Sequence, residues 1–274
     1  MLNNSGSLTE NGTWYLGYNG TDTSRLNNLA GATFTIAGSS ASIYSAAGAL
    51  LTNAGTLVES GGGLSQINAA VTSTGSISIT TGTLRFAGTS NSFAGTVGGS
   101  GTLDLYSGAQ LFAAGLTLGV AHVLLEGTSL TLAGDQYYGK EWTQTGGTLA
   151  MGGHLLALSG AANFDGGIAN GAGNIRIVGS AEVSSYIVEG NVALNVLGTV
   201  TQTGYWFLGY YGTDTVALNN HTGATITMAG ATTMNGTLGS LLNNDGTLVK
   251  AGIRRSTSPL ITAAPSSSRT ARSI

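Results

Sequence analysis

Hydrophobic and polar residues alternate along most of this chain in short runs of four to six residues. Residues 76–80 read Ser-Ile-Ser-Ile-Thr, and residues 33–36 and 225–228 read Thr-Phe-Thr-Ile and Thr-Ile-Thr-Met. Such a period of two, in runs rich in Thr, Ile, Val and Leu, is typical of half-buried β-strands. No run of 12 residues shows the 3.6-residue period of an amphipathic helix. The pattern therefore predicts an all-β protein.

A turn signal separates the strands: Gly, then Ser, Thr or Ala, then an apolar residue. It recurs mostly every 19–26 residues, for example at Gly55, Gly75, Gly101 and Gly127. Short strands in a unit of about 22 residues predict a right-handed parallel β-helix, a solenoid of about 11 rungs whose inward faces join into one core. A β-sandwich or β-barrel would also explain the alternation, but it would leave the long repeat described next without a reason.

The chain contains an internal repeat with an offset of 192. Residues 12–38 and 204–230 are identical at 18 of 27 positions, and the match resumes one residue out of step at 50–58 and 241–249. Residues 1–252 are therefore predicted to hold one unit of about 190 residues and the start of a second copy. Asn pairs recur at 27–28, 219–220 and 243–244, which suits turns where side-chain amides stack as a ladder.

Charge divides the chain into two parts. Residues 1–252 carry all 12 acidic residues and five basic ones, whereas residues 253–274 carry four arginines, both prolines and no acid. Residues 253–274 are therefore predicted to be a disordered tail, either basic for contact with an anionic surface or the product of out-of-frame translation. The start at Met1 lacks a basic and apolar leader, so we expect the chain to represent part of a larger exported array.

Composition excludes several classes of protein. Gly makes up 45 of 274 residues, charged residues are 8% and Cys is absent, which argues against a collagen helix, charge-driven disorder and a disulfide or thiolate metal site. A net charge of −3 without a basic stripe disfavours nucleic acid as a partner. Three His residues and few charges leave little acid–base chemistry. We therefore expect no enzyme, no cofactor and no transmembrane segment.

Residues 51–59 read Leu-Thr-Asn-Ala-Gly-Thr-Leu-Val-Glu, and residues 242–250 read Leu-Asn-Asn-Asp-Gly-Thr-Leu-Val-Lys. These segments resemble rungs of bacterial autotransporter passengers and of filamentous-haemagglutinin-like adhesins. The resemblance covers residues 1–252 and implies an exported β-helix, at the cell surface or secreted, that adheres to host cells, matrix, carbohydrate or itself. The chain shows neither the signal sequence nor the C-terminal membrane barrel of that group, and we expect it to be exported as part of a longer protein.

Aromatic residues concentrate at the start of each repeat copy, although aromatics are only 7% of the chain. Exposed Trp and Tyr side chains could stack on sugars or form a contact hot spot, and the alternative is that they fill a wide rung. The candidate contact residues are Trp14, Tyr15, Tyr18, Trp206, Phe207, Tyr210 and Tyr211.

Polar motifs give weaker candidates. Asp22 and Asp214 each follow Gly-Thr, where an Asx-type turn is expected rather than a calcium site, which needs several carboxylates. Thr-x-Thr pairs suggest an ice-binding solenoid, although they are missing from many rungs. His122, His154 and His221 are too far apart in sequence for a predicted metal site.

Carboxylates could make the chain a β-helix carbohydrate-active enzyme, a polysaccharide lyase or a glycosidase, if two of them met on neighbouring rungs near a base. Asp104 and Glu126 are about one rung apart and could stack, as could Asp165 with Glu182 or Glu189. Arg85 and Arg176 are the nearby bases. We expect a structural or adhesive stalk in preference to this enzyme or to an ice-binding protein.

Overall fold

The computed structural model describes residues 1–252, which form a parallel β-solenoid of about 12 coils. Thirty-two strands and no helix occur in these residues. The prediction of an all-β parallel solenoid is confirmed, with one coil more than the expected 11. The predicted tail, residues 253–274, lies outside the described residues.

Each coil has three sides, and we name the stacks of equivalent strands face 1, face 2 and face 3. Face 1 contains β1 (Leu2–Asn4), β4 (Arg25–Asn28), β7 (Leu50–Asn53), β10 (Ala70–Ser73), β13 (Ser90–Phe93), β15 (Ala109–Phe112), β17 (Ser129–Leu132), β20 (Thr148–Ala150), β23 (Ile168–Asn170), the second halves of β25 (Ser180–Val188) and β27 (Thr199–Leu208), and β30 (Met234–Gly236).

Face 2 contains β2 (Ser7–Glu10), β5 (Thr33–Ile36), β8 (Thr56–Glu59), β11 (Ser76–Ile79), the first halves of β14 (Thr96–Leu105) and β16 (Thr117–Leu125), β18 (Gln136–Tyr138), β21 (Leu155–Leu158), β24 (Ala172–Ile177), β26 (Asn191–Val196), β28 (Ala217–Asn220) and β31 (Leu241–Asn244). Its ladder is interrupted between β16 and β18, where the Tyr138 hydroxyl donates to the Val120 carbonyl at 2.9 Å.

Face 3 contains β3 (Thr13–Leu16), β6 (Ser42–Ser45), β9 (Leu64–Ile67), β12 (Thr83–Phe86), the second halves of β14 and β16, β19 (Glu141–Gln144), β22 (Ala161–Phe164), the first halves of β25 and β27, β29 (Thr225–Ala229) and β32 (Thr247–Ala251). Every strand pairing in the described residues is parallel and joins successive coils.

The core follows from the alternation. On face 2, Phe34, Leu57, Ile77 and Val97 stand in register on successive coils and are buried, while the intervening residues point outward. Stacking such residues removes apolar surface from water in one continuous column along the solenoid. The six inward apolar residues that are only partly buried all belong to the first or last described coil: Leu8, Trp14, Leu16, Met234, Leu242 and Leu248.

Polar side chains occupy the inward position at several corners. The Nδ2 of Asn4 donates to Oδ1 of Asn28 at 2.8 Å, Asn28 donates to Asn53 at 2.7 Å, and Asn53 donates to the Ser73 hydroxyl at 3.0 Å. In the second repeat copy, an equivalent bond of 2.7 Å joins residues 220 and 244. The amide ladder expected from the Asn pairs is therefore present and satisfies polar groups in the core, where an unpaired amide would be costly.

The two repeat copies lie on different faces. Residues 12–38 begin with β3, on face 3 of the first coil, whereas residues 204–230 begin with the second half of β27, on face 1 of the eleventh coil. One repeat therefore spans nine coils and one further face. The same sequence is consequently displayed one third of a turn further around the axis.

Candidate functional site

One loop positions the aromatic residues of the first repeat copy. After β3 the chain turns at Gly17, whose φ of 84° is in the left-handed region that favours glycine. The Oδ2 of Asp22 accepts the N–H groups of Tyr18 at 2.8 Å and Asn19 at 3.0 Å. These bonds from Asn19 and Tyr18 lower the pKa of the Asp22 carboxyl, because they favour its charged form. The carboxylate thus fixes the loop that carries Tyr18.

The second copy repeats this loop at a different corner of the solenoid. Gly209 has a φ of 81°, and Oδ2 of Asp214 accepts the N–H groups of Tyr210 at 2.7 Å and Tyr211 at 2.8 Å. Its Oδ1 also accepts the N–H of Gly190 at 2.9 Å, a bond to the preceding coil. Burial would raise the pKa of Asp214, but the three N–H donors prevail and lower it.

The expected Asx-type turn is thus corrected in one respect. Asp22 and Asp214 bond to N–H groups three and four residues earlier in the chain, and not to backbone two residues later. In each loop the glycine makes the turn at the start, and the aspartate at the end bonds back to the N–H groups that follow the glycine. In residues 1–252, no group of three or more His, Cys, Asp or Glu side chains is arranged to hold a metal ion.

Three exposed rings form what we call the N-terminal tyrosine patch: Tyr15, Tyr18 and Tyr44. Tyr15 and Tyr44 are in register on β3 and β6, and their rings stack with centroids 5.5 Å apart. Tyr18, 82% exposed, tilts against Tyr15 at 5.7 Å. Tyr44 was not among the predicted contacts, because the coil that brings it back to Tyr15 is longer than the expected rung.

Four rings form the C-terminal aromatic patch: Tyr205, Phe207, Tyr210 and Tyr211. Tyr205 stacks on Phe207 at 6.4 Å, Tyr210 meets Phe207 edge-on at 6.3 Å, and Tyr211 meets Tyr210 edge-on at 5.3 Å. The three tyrosines are exposed and Phe207 is half-buried. Both patches therefore combine strand residues with loop residues that an aspartate holds in place.

The two tryptophans do not belong to these surfaces. Trp206 points inward and is 1% exposed, so the contact role predicted for it is wrong. Trp14 is its counterpart in the first copy, is half-buried and stacks on Phe34 with centroids 5.9 Å apart. The strand alternation decides this, since Trp14 and Trp206 occupy inward positions beside outward aromatic residues.

A second cluster joins Arg85, Asp104 and Glu126 on successive coils. Arg85 Nε lies 2.6 Å from Asp104 Oδ2, its Nη2 lies 3.5 Å from Glu126 Oε1, and its guanidinium lies 4.0 Å over the Tyr106 ring. The expected stacking of these charges is therefore present. Asp104 is only 1% exposed, and burial raises its pKa to about 6 despite Arg85. This carboxyl is therefore covered, whereas Glu126 is partly exposed.

The other predicted carboxylate pairs do not converge with a base. Asp165 and Glu182 each accept a hydrogen bond from a neighbouring hydroxyl on the exposed surface. Arg176 lies in β24 on face 2, away from Glu182 on face 3. Glu189 is buried at another corner, where burial first and the charge of Asp214 second raise its pKa. The described residues therefore contain no second meeting of two predicted acids with a base.

The three histidines are dispersed. His122 contacts the Thr143 hydroxyl on face 3 at 3.0 Å, His154 lies 3.4 Å from Asp135, and His221 contacts Asn195 at 3.1 Å. Each histidine therefore has a different polar neighbour.

A shallow groove of about 460 Å³ runs along face 2 and is bordered by His221, Arg176, Asn174 and Asn195. The Nδ2 of Asn195 donates to Oδ1 of Asn174 at 3.0 Å, so these residues form part of an outer amide ladder. The sequence pattern did not reveal this ladder, because neither residue belongs to an Asn pair.

Thr-x-Thr pairs stand in register on only two successive coils of face 3 in the described residues. Thr199 and Thr201 of β27 align with Thr225 and Thr227 of β29. The column of Thr201 and Thr227 ends on both sides, because Glu182 stands in it on the preceding coil and Val249 on the following coil. A flat array of threonine hydroxyls along the solenoid is therefore missing from this face.

Comparison with family models, with curated proteins and with solved structures finds no match. In the described residues, no helix is long and apolar enough to span a membrane.

Proposed function

We propose that this chain is a structural and adhesive β-solenoid, a stiff stalk of low charge from an exported surface protein. It binds cells, matrix, carbohydrate or copies of itself through its two aromatic patches. The observation that carries this proposal is the duplicated patch, in which the same aspartate-capped loop presents exposed rings at two places. Preorganised rings lose little conformational entropy on binding.

Weak contacts at two patches on one stiff body would add through effective concentration. The patches stand on different faces near opposite ends of the described solenoid. One extended surface could therefore engage one patch while a neighbouring surface engages the other. This geometry favours bridging between surfaces over the enclosed binding of one small molecule, which normally needs a deep pocket.

The test measures binding of the full chain to arrays of immobilised oligosaccharides and to matrix proteins. We expect Tyr15→Ser with Tyr18→Ser and Tyr44→Ser to weaken binding at least tenfold, because each exposed ring contributes contact area. Tyr137→Ser is the matched control, since Tyr137 is 68% exposed and outside both patches. Unchanged binding by the triple variant, or equal loss in the control, would reject the patches as the adhesive surface.

The carbohydrate-active enzyme is the second candidate, supported by the meeting of Arg85, Asp104 and Glu126. Incubating the full chain with polysaccharides and measuring new reducing ends or unsaturated products tests it. If the chain is this enzyme, the wild type forms products and Glu126→Gln forms none, while the circular dichroism of the variant still shows β-structure. Absence of products from a broad polysaccharide set would leave the stalk as the better explanation.

A further inference from the structure

The two ends of the described solenoid present β-sheet edges. Among the residues that the structure describes, strands β1, β2 and β3 of the first coil pair only with the second coil, and β30, β31 and β32 of the twelfth coil pair only with the eleventh. Such edges present N–H and C=O groups that can pair with another strand. The partly buried apolar residues of these coils add exposed core at both edges.

From the side chains at these edges, we infer that the chain associates head to tail with a second copy, turned by one third of a turn. In this arrangement β31 adjoins β1 of the next copy, and β32 adjoins β2. The association goes beyond the adhesive function and does not depend on it.

The inner asparagine ladder selects this arrangement. Within the chain, Asn4, Asn28 and Asn220 each donate their Nδ2 to the Asn of the following coil, and Asn53 donates to the Ser73 hydroxyl. At the last described coil, the Nδ2 of Asn244 makes a 3.4 Å contact to the Gly246 carbonyl, and at the first coil Asn4 Oδ1 accepts the Gly6 N–H. Placing β31 against β1 lets Asn244 donate to Asn4 of the next copy.

The outward asparagines on faces 1 and 2, the outer asparagine ladder, favour the same one-third turn. In this ladder the bonds run the other way, since Asn27 donates to Asn3 at 2.7 Å and Asn243 donates to Asn219 at 2.8 Å, each toward the preceding coil. With β31 against β1, Asn3 of the next copy donates to Asn243. Both ladders therefore continue through the contact, each in its own direction.

Charge selects the same arrangement. Glu10 ends β2 at an inward position, is 1% exposed, and its Oε2 has no hydrogen-bond partner among the described residues. Lys250 is exposed and continues the inward column of Gln202 and Met228 on face 3. With β32 against β2, Lys250 meets Glu10 of the next copy in register. A buried carboxylate would then gain a partner of opposite charge.

The other two rotations continue neither ladder. With no rotation, the columns of paired residues would bring Lys250 over Trp14 and Gly236 over Leu2. Asn244 would then stand over Glu10 and not over an asparagine, so Lys250 would have no acid to meet. With a rotation of two thirds, Lys250 would stand over Asn4 and Glu10 would face Gly236. Neither the ladders nor the ion pair would then form.

The one-third turn also brings together apolar residues of the two edges. In the strand pairs β31–β1 and β32–β2 it places apolar against apolar at each inward position outside the ladder and the ion pair. Leu242 meets Leu2, and Leu248 meets Leu8. Contact between them would bury apolar surface at both edges.

This contact joins two different surfaces of the chain, so it does not close on itself. Heterologous contacts of this kind add copies without limit unless rotation closes a ring. Successive copies along a straight axis therefore form a filament. Each copy shows its aromatic patches one third of a turn further around the axis.

The first test compares association of the full chain with that of two lysine variants by sedimentation velocity over a concentration series. Wild-type mass should grow with concentration, and Lys250→Glu should weaken association at least tenfold by placing two acids together. Glutamate fits this position, because Glu59 is its counterpart in the first repeat copy. The matched control is Lys140→Glu, the same charge change at an exposed site away from both edges. A monomeric wild type, or equal loss in the control, would overturn the inference.

The second test maps the rotation with single cysteines, since the chain has none of its own. Thr9→Cys mixed with Val249→Cys should give a mixed disulfide dimer, because adjacent strands bring Cα atoms within disulfide range. Thr13→Cys mixed with Val249→Cys is the control, since positions 13 and 249 would meet only without rotation. Preferential linkage of the control pair would refute the one-third turn. Patch variants that lose adhesion should still form the filament, which separates failure of this inference from failure of the adhesive function.

Discussion

The side-chain amide of Asn28 donates a hydrogen bond of 2.7 Å to Oδ1 of Asn53, one coil further along the solenoid. The same Nδ2 donates to the Thr56 carbonyl at 2.9 Å, so both of its hydrogens are used in a buried corner. Buried amides of this kind tie successive coils together where the strands have ended. They also fix the register, because a shift of one residue along the strand would leave each amide without its partner.

Replacing Asn28 by alanine should therefore destabilise the solenoid by about 2–3 kcal/mol, since the partners in the neighbouring coils would remain buried and unpaired. Urea unfolding followed by circular dichroism measures this loss. Asn27→Ala is the control, because Asn27 points outward and its bonds to Asn3 and Thr52 lie nearer to solvent. We expect the control to lose less than about 1 kcal/mol, and equal losses would contradict a special role for the inner ladder.

The two loop aspartates should respond differently to the same substitution. Asp214 uses both carboxylate oxygens, whereas Asp22 uses only Oδ2 within the described residues. Asparagine has one acceptor oxygen, so Asp22→Asn can keep its two bonds while Asp214→Asn must lose the Gly190 bond or the loop bonds. We expect Asp214→Asn to lower the free energy of unfolding by about 1–2 kcal/mol, and Asp22→Asn to lower it by less. Thermal unfolding of both variants checks this order.

The buried carboxyl of Asp104 should make stability depend on pH. Its pKa is raised to about 6 in the folded protein, against about 3.9 in an unfolded chain. The neutral carboxyl therefore stabilises the folded state fully below about pH 4. This stabilisation, about 3 kcal/mol, is lost as the pH rises through 6. Asp104→Asn should flatten this part of the stability profile. An unaltered profile in Asp104→Asn would contradict the assignment.

Glycine is required where coils approach each other most closely. A Cβ at Gly204 would overlap the Ser184 carbonyl oxygen of the preceding coil, although the backbone there is not left-handed. Gly204→Ala should lower the free energy of unfolding by more than about 2 kcal/mol, because the backbone must move to relieve the overlap. At Gly98 a Cβ would meet no atom within 4 Å, so Gly98→Ala should be tolerated. Chemical denaturation of the pair distinguishes close approach from a general requirement for glycine.

The fold was predictable because its information is local and repeated. Alternation decides which residues of a strand face the core, as Phe34 and Leu57 show, and stacking similar units needs no further topology. The alternation also contains the signal that Trp206 is inward while Tyr205 is outward. The contact role predicted for Trp206 is wrong because neighbouring residues of one strand point to opposite sides of the sheet.

The candidate sites were less predictable because they depend on coil length. Arg85, Asp104 and Glu126 meet because their spacings in the sequence match the lengths of the coils between them. Tyr44 joins Tyr15 only because the aspartate-capped loop lengthens that coil. A uniform rung of about 22 residues predicts that Asp104 and Glu126 meet, but it does not predict the contact between Tyr15 and Tyr44.

The extra face in the internal repeat has a consequence at the level of the gene. Recombination between the two copies could remove residues 17–208, so that β3 would lead directly through the loop 209–216 into β28. The aspartate Oδ2 makes the same two bonds within the loop at both corners, and β28 would take the place of β4 with Asn220 beside Asn4. The shortened chain would lose nine coils and one face without a broken coil. Repeat number could thus vary in such genes while the fold persists, and each change would turn every downstream surface by one third of a turn.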